Sequence, residues 1–392
     1  MTSEGTASMT TPTLAAEPTA PDYLTAVTWA GQHDAAVLLE GGKKALVAGG
    51  ADAVSVSVKQ SAVFDFDTAK WSDPIPLGTA RQLHTLTLLP GGKVLATGGI
   101  GAAGGPALAT AELFDPGTGK WTPVAAPMKT ARWGHSAVLV GGKVLVAGGS
   151  ALRPDGRAVA LRSAELFDPA GAGSWAAAGE MTDARTGHAA VVLGKKVLVC
   201  GGSVPVGTIE DPALAFCELY DSEAAAGASP WTPAATMRHP RSGHTATALS
   251  ATSVLVTGGK APGVTEDGAF DPFARSTAEI FDLIGAAGTW KDAKPLPGGR
   301  AFHRAVAVDA GAVVVIGGAD DVVNEAGYRS ALRYAAGEWK SLPGLVEGRW
   351  GFAAVAAGNT VLVAGGVART GQAAGGQKTE LTKTAEKVGG GA

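Results

Sequence analysis

Arginine and histidine recur together along this sequence and are the first residues to consider for chemistry. Six arginines share one spacing: Arg81, Arg132, Arg185, Arg241, Arg300 and Arg349. Five are followed three residues later by a histidine, namely His84, His135, His188, His244 and His303, whereas Phe352 takes that place in the sixth. Clustered histidines can ligate a metal, and guanidinium groups bind carboxylates and phosphates. The pattern therefore raises two hypotheses, a metal centre and an anion-binding ring.

A packing role competes with both hypotheses. A glutamate recurs with the same spacing as the histidines: Glu112, Glu165, Glu218, Glu279 and Glu380. Buried histidines need hydrogen-bond partners, so we expect each histidine to bond a glutamate of this series or a backbone group. One histidine per repeat also places the rings too far apart to share an ion. We therefore expect no metal and no cofactor, and we keep the arginines as ligand-binding candidates with packing as the alternative.

These residues are embedded in a seven-fold repeat marked by Gly-Gly pairs. The pairs begin at Gly49, Gly98, Gly148, Gly201, Gly258, Gly317 and Gly365. Six of them are followed by a tryptophan: Trp71, Trp121, Trp175, Trp231, Trp290 and Trp339. The distance from each tryptophan to the next Gly-Gly is 26 or 27 residues, so almost all length variation falls between Gly-Gly and tryptophan. Repeats of this length indicate a solenoid, a propeller or an array.

Each repeat predicts four short strands. The first is apolar, as in "HSAVLV", and a Gly-Gly-Lys hairpin connects it to the second, "VLVAGG". The third is "AELFDP" or a variant, and the fourth carries the tryptophan. Since no segment shows a long 3.6-residue period, the fold class is all-β.

The Gly-Gly after the second strand, the aromatic of the third, the tryptophan and the Arg-x-x-His motif together resemble the kelch repeat of galactose oxidase/kelch-type propellers. The resemblance covers residues 23–385 and implies a single seven-bladed β-propeller with four antiparallel strands per blade. Residues 1–22 then form a flexible arm and 386–392 a flexible tail. The seventh unit has "TELTKT" as its third strand but no tryptophan after it. Tyr23 lies 26 residues before Gly49, so we expect residues 23–28 to supply the outer strand that closes the ring.

In this fold, the loops between second and third strands and the loops between blades share one face. The former are long and all different, which favours binding on that face, whereas the Gly-Gly-Lys hairpins opposite are uniform. Residues that depart from the repeat pattern fall there too: Trp133 and Trp350 after their arginines, His239, and Tyr328. The ligand-binding candidates are Arg81, Arg132, Trp133, Arg185, His239, Arg241, Arg300, Tyr328, Arg349 and Trp350. Acidic loop residues Asp267, Asp271, Asp320 and Asp321 would hold cationic groups or carry protons.

The kelch resemblance is not specific for function, because kelch propellers serve as enzymes, adaptors and scaffolds. In kelch adaptors, arginines at similar positions hold acidic peptides, so we expect the channel mouth to bind a protein partner or a small acidic ligand. The alternative is an isomerase, cyclase or lyase with acid–base chemistry at the same mouth. A deep pocket with an acid facing a histidine would favour the enzyme.

Two metal-dependent kelch-like activities are disfavoured by the residues. A copper-radical oxidase needs two tyrosines, two histidines and a cysteine linked to a tyrosine. Here only Tyr328 lies outside a structural aromatic position, and Cys200 and Cys217 are expected to be buried, reduced core thiols. An iron-assisted specifier motif would need a histidine where Arg275 stands.

Composition narrows the partners further. The net charge of −3 gives no reason to expect nucleic-acid or membrane binding. The first 22 residues contain neither a basic start nor an apolar core, so we expect a cytoplasmic protein, with the mature form of a secreted protein as the alternative. We expect a monomer.

Overall fold

The protein is a seven-bladed β-propeller in the computed structural model. The structure describes residues 35–389 except residues 53, 103, 206–210, 262, 265–269, 272–273, 310, 322, 324, 377 and 383. Each blade is an antiparallel sheet whose strands lie side by side in chain order from the channel outward. The all-β expectation is therefore confirmed.

The strands of the first four blades follow one another as expected from the repeats. Blade 1 contains β1 (Ala36–Leu38), β2 (Lys44–Ala48), β3 (Ser61–Asp65) and β4 (Lys70–Trp71). Blade 2 contains β5 (Thr85–Leu88), β6 (Val94–Thr97), β7 (Ala111–Asp115) and β8 (Lys120–Pro123). Blade 3 contains β9 (Ser136–Val140), β10 (Lys143–Ala147), β13 (Ser163–Asp168) and β14 (Ser174–Glu180), with the loop hairpin β11 (Ser150–Leu152) and β12 (Ala158–Ala160). Blade 4 contains β15 (Ala189–Leu193), β16 (Lys196–Cys200), β17 (Cys217–Asp221) and β18 (Trp231–Ala234).

The last three blades carry the longer insertions. Blade 5 contains β19 (Thr245–Ala248), β20 (Ser253–Thr257), β23 (Ala278–Asp282) and β24 (Thr289–Ala293), with the hairpin β21 (Gly263–Val264) and β22 (Phe270–Asp271). Blade 6 contains β25 (Arg304–Asp309), β26 (Ala312–Ile316), β27 (Ala331–Ala335) and β28 (Glu338–Leu342). Blade 7 contains β29 (Ala353–Ala357), β30 (Thr360–Ala364) and β33 (Ala385–Gly389). Its loop holds β31 (Val367–Gly371), a 3-10 helix (Gln372–Ala374) and β32 (Lys378–Leu381).

The core lies between neighbouring blades, because each sheet is apolar on both faces. The second strands are the most deeply buried, as Val144–Ala147 illustrates. Farther out, the aromatic of the third strand packs on the tryptophan of the fourth, with ring centroids 5.0 Å apart for Phe167 and Trp175. The indole of Trp175 also donates a 3.0 Å hydrogen bond to the carbonyl of Ala126 in the preceding blade. The regular spacing of the tryptophans thus reflects a contact that joins successive blades.

The innermost strands form a closed circle, since each contacts the innermost strand of the next blade and β1 contacts β29. The Gly-Gly pairs allow this close approach. At Gly148, where φ is +61°, a Cβ atom would lie 2.7 Å from both the Arg185 carbonyl oxygen and the His188 ring. The recurring Gly-Gly pairs are therefore structural.

The third strand of the seventh unit is not where the sequence analysis placed it. "TELTKT" forms β32 of the loop hairpin, and the strand that pairs with β30 is β33, which reaches Gly389 and so runs past the expected propeller boundary at residue 385. Glu386, not Glu380, therefore occupies the recurring glutamate position. Glu380 instead forms an exposed ion pair with Arg369. Tyr23 and the expected closing strand lie outside the described residues.

Both cysteines are buried and free, as expected for core thiols. They face each other across β16 and β17. A side-chain hydrogen bond with Cys217, and then burial, raise the pKa of the Cys200 thiol, so it stays protonated. In the described part of the chain, no helical segment has the length and apolar character needed to cross a membrane.

Candidate functional site

Five recurring arginines are buried in ion pairs with the recurring glutamates. Their side chains expose no surface to solvent, and each pairs within its own blade: Arg81 with Glu112, Arg132 with Glu165, Arg185 with Glu218, Arg241 with Glu279, and Arg349 with Glu386. Taking Arg132 as the example, its guanidinium also donates to the carbonyls of Gly148 and Ser163 at 2.7 and 2.9 Å. The carboxylate of Glu165 accepts the backbone N–H groups of Lys129 and Thr130. Arg and Glu together therefore fasten the inter-blade loop to the sheet.

These contacts correspond to the packing alternative for the arginines. Burial lowers the pKa of Arg241, and the charge of Glu279 opposes that shift. Because the five guanidinium groups are bonded to protein and closed to solvent, a ligand could reach them only if the loops opened.

Arg300 in blade 6 is the exception. The glutamate position is taken by Leu332, and within the described residues Arg300 forms no ion pair. Its guanidinium donates to the Gly317 carbonyl at 3.0 Å and lies 5.3 Å from the ring centroid of Tyr328. Pro297 stands where other blades have a residue that donates its backbone N–H to the glutamate, so donor and acceptor are lost together. Tyr328, a predicted binding residue, therefore supports a buried cation.

The histidines connect neighbouring blades, but not through the glutamates. His135 Nε2 is 3.1 Å from the Thr85 hydroxyl, and His188 Nε2 is 2.9 Å from that of Ser136. Of the two expected kinds of partner, the glutamate is wrong because the carboxylates bond the arginines, whereas a backbone group, that of Ala48, does bond His84. Burial, and then the positive charge of Arg81, lower the pKa of His84 to about 3, so the ring is neutral.

At the channel mouth, isolated antiparallel β-bridges pair residues of six blades just beyond the ends of their strands. The residue after each arginine pairs with the residue after each Gly-Gly. The pairs, called rim pairs below, are Gln82 and Ile100, Trp133 and Ser150, Thr186 and Ser203, Ser242 and Lys260, Ala301 and Ala319, and Trp350 and Val367. All six differ chemically, in contrast to the uniform residues on either side. The fold thus presents two freely variable side chains per blade at the mouth.

The next residue inward forms a belt around the channel. It has a left-handed backbone in six blades and is glycine in four; the belt consists of Leu83, Gly134, Gly187, Gly243, Phe302 and Gly351. Backbone hydrogen bonds connect neighbouring members, such as Gly134 N–H to Leu83 and Phe302 N–H to Gly243. Leu83 and Phe302 both have φ of +53°, a conformation that costs a non-glycine residue roughly 1–2 kcal/mol.

A cavity of about 350 Å³ opens at the mouth above blades 3 to 5. We call it the mouth bowl; three rim pairs, five belt residues and three loop residues line it: Trp133, Ser150, Thr186, Ser203, Ser242, Lys260, Leu83, Gly134, Gly187, Gly243, Phe302, Ala158, Pro205 and Asp211. The Lys260 ammonium lies 5.9 Å from the centroid of the Phe302 ring. The bowl therefore combines one cation, one carboxylate, several hydroxyls and three large apolar side chains. None of its described lining residues is a histidine.

The rim pair of blade 7 is buried and does not line the bowl. Trp350 is 6% exposed and packs with Ala319 and Val367, against Phe302 and Leu381. Val367 and Leu381 belong to the hairpin β31–β32, which therefore packs against rim residues of blades 6 and 7. Hence Trp133 lines the mouth bowl, whereas Trp350 is part of an apolar contact.

Other predicted site residues lie elsewhere on this face. The backbone N–H of His239 donates to Glu279. The Asp320 carboxylate accepts the N–H of Ala274 at 2.8 Å and that of Asp321 accepts from Val323, so both organise loops. Asp267 lies outside the described residues, and so does the side chain of Asp271.

Below the belt, the channel contains a second, smaller cavity of about 90 Å³. His135, His188 and His244 line it with Ser136, Thr245 and Arg304. A cavity of this size holds a few water molecules. Across the described residues, no group of three or more histidine, cysteine, aspartate or glutamate side chains is placed to hold a metal.

Sequence reasoning missed Lys260, Leu83 and Phe302. Each of the three departs from the repeat pattern in a way that the sequence shows. Lys260 directly follows a Gly-Gly, where the other repeats have small or apolar residues. Leu83 and Phe302 replace the glycine of Arg-x-Gly-His. These signals lie between or beside the recurring arginines and histidines, at positions that the Arg-x-x-His motif leaves open.

Comparison with known proteins agrees with this architecture. Residues 88–128 match the Kelch motif family model. The structure is similar to a "novel fungal alcohol oxidase with catalytic diversity among the AA5 family, in complex with copper", with a TM-score of 0.67 and 17% identity over 93% of this chain and 74% of that one. It is also similar to YjhT, with a TM-score of 0.58 and 16% identity over 81% of this chain and 97% of that one. No curated protein sequence matches the chain.

At these identities the two structures support the fold alone. The motif match, the seven blades and the two structural neighbours agree with one another: the chain is a seven-bladed β-propeller that contains a kelch motif.

Proposed function

We propose that the protein is a binding module whose ligand, a small acidic molecule or an acidic segment of a partner protein, occupies the mouth bowl. The observation that carries this proposal is that residues departing from the repeat pattern meet there. Trp133, Lys260, Leu83 and Phe302 line one cavity, although they come from four blades. A rigid ring that varies mainly at its mouth is typical of a scaffold for recognition.

The chemistry of the bowl favours an anionic ligand. Lys260 is half-buried and held over an aromatic ring, so its charge is partly desolvated and interacts more strongly than a surface lysine would. The hydroxyl of Ser203 can donate a hydrogen bond to the ligand, whereas those of Thr186 and Ser242 donate to backbone carbonyls and can accept one. We further propose that the protein acts as a monomer and does not use nucleic acid, given its net charge of −3.

An acid–base enzyme at the same mouth is the second candidate, because Asp211 and Lys260 line the bowl together. The arrangement that would favour it, a carboxylate facing a histidine, does not occur among the described lining residues. The recurring histidines lie one residue below the belt and are buried, and burial lowers the pKa of His84 and His303. Binding therefore remains the first choice.

A fragment screen by ligand-observed NMR tests the location. We expect hits that Trp133→Ala weakens at least about tenfold, the equivalent of one well-packed contact. Matched controls are Lys93→Ala and Lys143→Ala on the hairpin face, whose lysines form exposed ion pairs with Asp115 and Asp168. Hits that are lost in these controls and kept in Trp133→Ala would place binding on the other face and refute the proposal.

A further inference from the structure

The belt residues of blades 2 and 6 are not glycine, whereas those of blades 3, 4, 5 and 7 are. Gly134, Gly187, Gly243 and Gly351 adopt φ values between +58° and +60°, which glycine tolerates freely. Leu83 and Phe302 adopt nearly the same conformation at +53° despite carrying large side chains. Bulky residues in this region are rare and tend to occur at functional sites. Since glycine fits the backbone better, the side chains themselves require an explanation.

Both side chains line the bowl, on opposite ends of its floor. Leu83 comes from blade 2 and Phe302 from blade 6, and the three glycines of blades 3, 4 and 5 lie between them along the belt. A Cβ atom on Gly187 would meet nothing within 4 Å, so the floor there is open. The floor is thus a bare strip of backbone with an apolar side chain at each end.

Phe302 is also fixed in place and coupled to the cation of the bowl. Its ring lies so close to Gly243 that a Cβ atom there would be 3.0 Å from it. The Lys260 ammonium sits 5.9 Å from the ring centroid, within the range of a cation–π contact. Backbone hydrogen bonds of 2.8 Å in both directions between Lys260 and Ser242 hold the lysine at the rim. Cation and aromatic ring are therefore positioned together before any ligand binds.

Resting on the proposed function, we propose that Leu83 and Phe302 determine specificity, and that the ligand carries a carboxylate next to a flat apolar group. The carboxylate contacts Lys260. The flat group lies on the glycine floor between Leu83, Trp133 and Phe302. Only backbone lines the floor at the glycines, so a flat group can lie against it between the apolar side chains. A volume of about 350 Å³ accommodates a small molecule of this kind.

The test uses three probes titrated by NMR at low ionic strength: phenylacetate, its neutral analogue phenylacetamide, and acetate. We expect phenylacetate to bind about tenfold tighter than phenylacetamide, and acetate to show no saturation. Lys260→Met should reduce the affinity for phenylacetate to that for phenylacetamide. Phe302→Gly and Leu83→Gly should weaken both aromatic probes at least about fivefold.

Melting temperatures separate this role from a structural one. Phe302→Gly and Leu83→Gly should keep the melting temperature, because they relieve an unfavourable backbone conformation while losing half-buried side chains. The reciprocal change Gly187→Leu places a side chain on the open floor; it should block the probes and lower the melting temperature.

Equal affinity for phenylacetate and phenylacetamide, or unchanged binding in Phe302→Gly, would overturn the inference. Failure of the proposed function looks different. If fragments bind in a manner sensitive to Trp133→Ala but phenylacetate does not, the bowl is a binding site and only the ligand class is wrong. If Trp133→Ala affects no ligand at all, the proposed function itself fails.

Discussion

Arg241 and Glu279 form an ion pair of 2.6 Å in which neither side chain exposes any surface to solvent. Both ends are further bonded, since the guanidinium donates to the Gly258 carbonyl and the carboxylate accepts the N–H of Arg238. A buried pair of this kind contributes little net stability by itself, but removing one partner leaves an uncompensated charge in the interior.

We therefore expect Glu279→Ala to lower the free energy of unfolding by about 3–5 kcal/mol in guanidinium denaturation. The control is Lys43→Ala, which breaks an exposed pair with Asp67 and should change stability little. A Glu279→Ala protein as stable as the control would mean that the recurring pair does not fasten the loop. The same reasoning applies to Arg132 and Arg349, so loss of binding in arginine variants must be corrected for loss of folding.

Blade 6 allows the opposite experiment, because it has lost the glutamate. Arg300 is already buried, at 3% exposure, so the native protein already bears the free-energy cost of removing this cation from water. Leu332→Glu combined with Pro297→Lys supplies the carboxylate and the backbone N–H that the other blades have. We expect this double variant to raise the melting temperature by a few degrees, equivalent to about 1–2 kcal/mol.

The matched control is Leu332→Gln with Pro297→Lys, which has the same shape without the charge and should be less stable than the parent protein. If the glutamine and glutamate variants have the same melting temperature, the charge of Arg300 is already compensated in the native protein. The Tyr328 ring is the nearest group that could compensate it.

His84 makes stability depend on pH. Its pKa is about 3 in the folded protein and 6.5 when unperturbed, so between these values the unfolded chain binds a proton that the folded chain does not. Stability therefore falls as pH drops below about 6.5 and stops falling through this group near pH 3. The loss from this residue between pH 7 and pH 4.5 should be about 2–3 kcal/mol.

His84→Phe should remove that part of the pH dependence without disrupting the fold. The seventh unit already has Phe352 at this position, and both rings approach the preceding Gly-Gly in the same way: His84 within 2.5 Å of a Cβ built on Gly49, and Phe352 within 2.7 Å of one built on Gly317. Denaturation midpoints measured from pH 7 to pH 4.5 check this. An equally steep loss in His84→Phe would show that other groups control the acid sensitivity.

Particular residues show what sequence alone could predict. The Gly-Gly and tryptophan spacing determined the strands and blades, because each reflects a contact repeated in every blade. The partners of Arg and His were harder, since repeats of equal period are compatible with several pairings, and only the coordinates show that Glu165 bonds Arg132 rather than a histidine. Glu380 was misassigned because the loop hairpin of blade 7 contains a strand that resembles the expected one.

The bowl was beyond sequence reasoning for a different reason. Its members come from five blades and meet only because the ring places the rim pairs side by side. Trp350, by contrast, is buried under the hairpin β31–β32, a tertiary contact with no sequence pattern of its own. The exceptional residues could have been found by comparing repeats position by position, but not their common cavity.

Closure of the ring gives the last prediction. Strand β33 pairs with β30 on one edge, and among the described residues no strand pairs with its other edge. In the other six blades that edge is covered by a fourth strand. Tyr23 lies 26 residues before Gly49, the spacing of tryptophan to Gly-Gly elsewhere in the chain. We therefore expect residues 23–28 to pair with β33, although β1 and β29 are already in contact at the channel.

Removing residues 1–28 should then expose the edge of β33, and unpaired strand edges promote association. We expect this variant to melt at a lower temperature and to aggregate in size-exclusion chromatography. Removing only residues 1–22 is the control, because it deletes the predicted arm and leaves Tyr23 in place, so it should behave as the full chain. Tyr23→Ala separates loss of the strand from loss of its aromatic anchor, and it should lower the melting temperature without aggregation. If the longer deletion elutes as a monomer with an unchanged melting temperature, residues 23–28 do not close the ring.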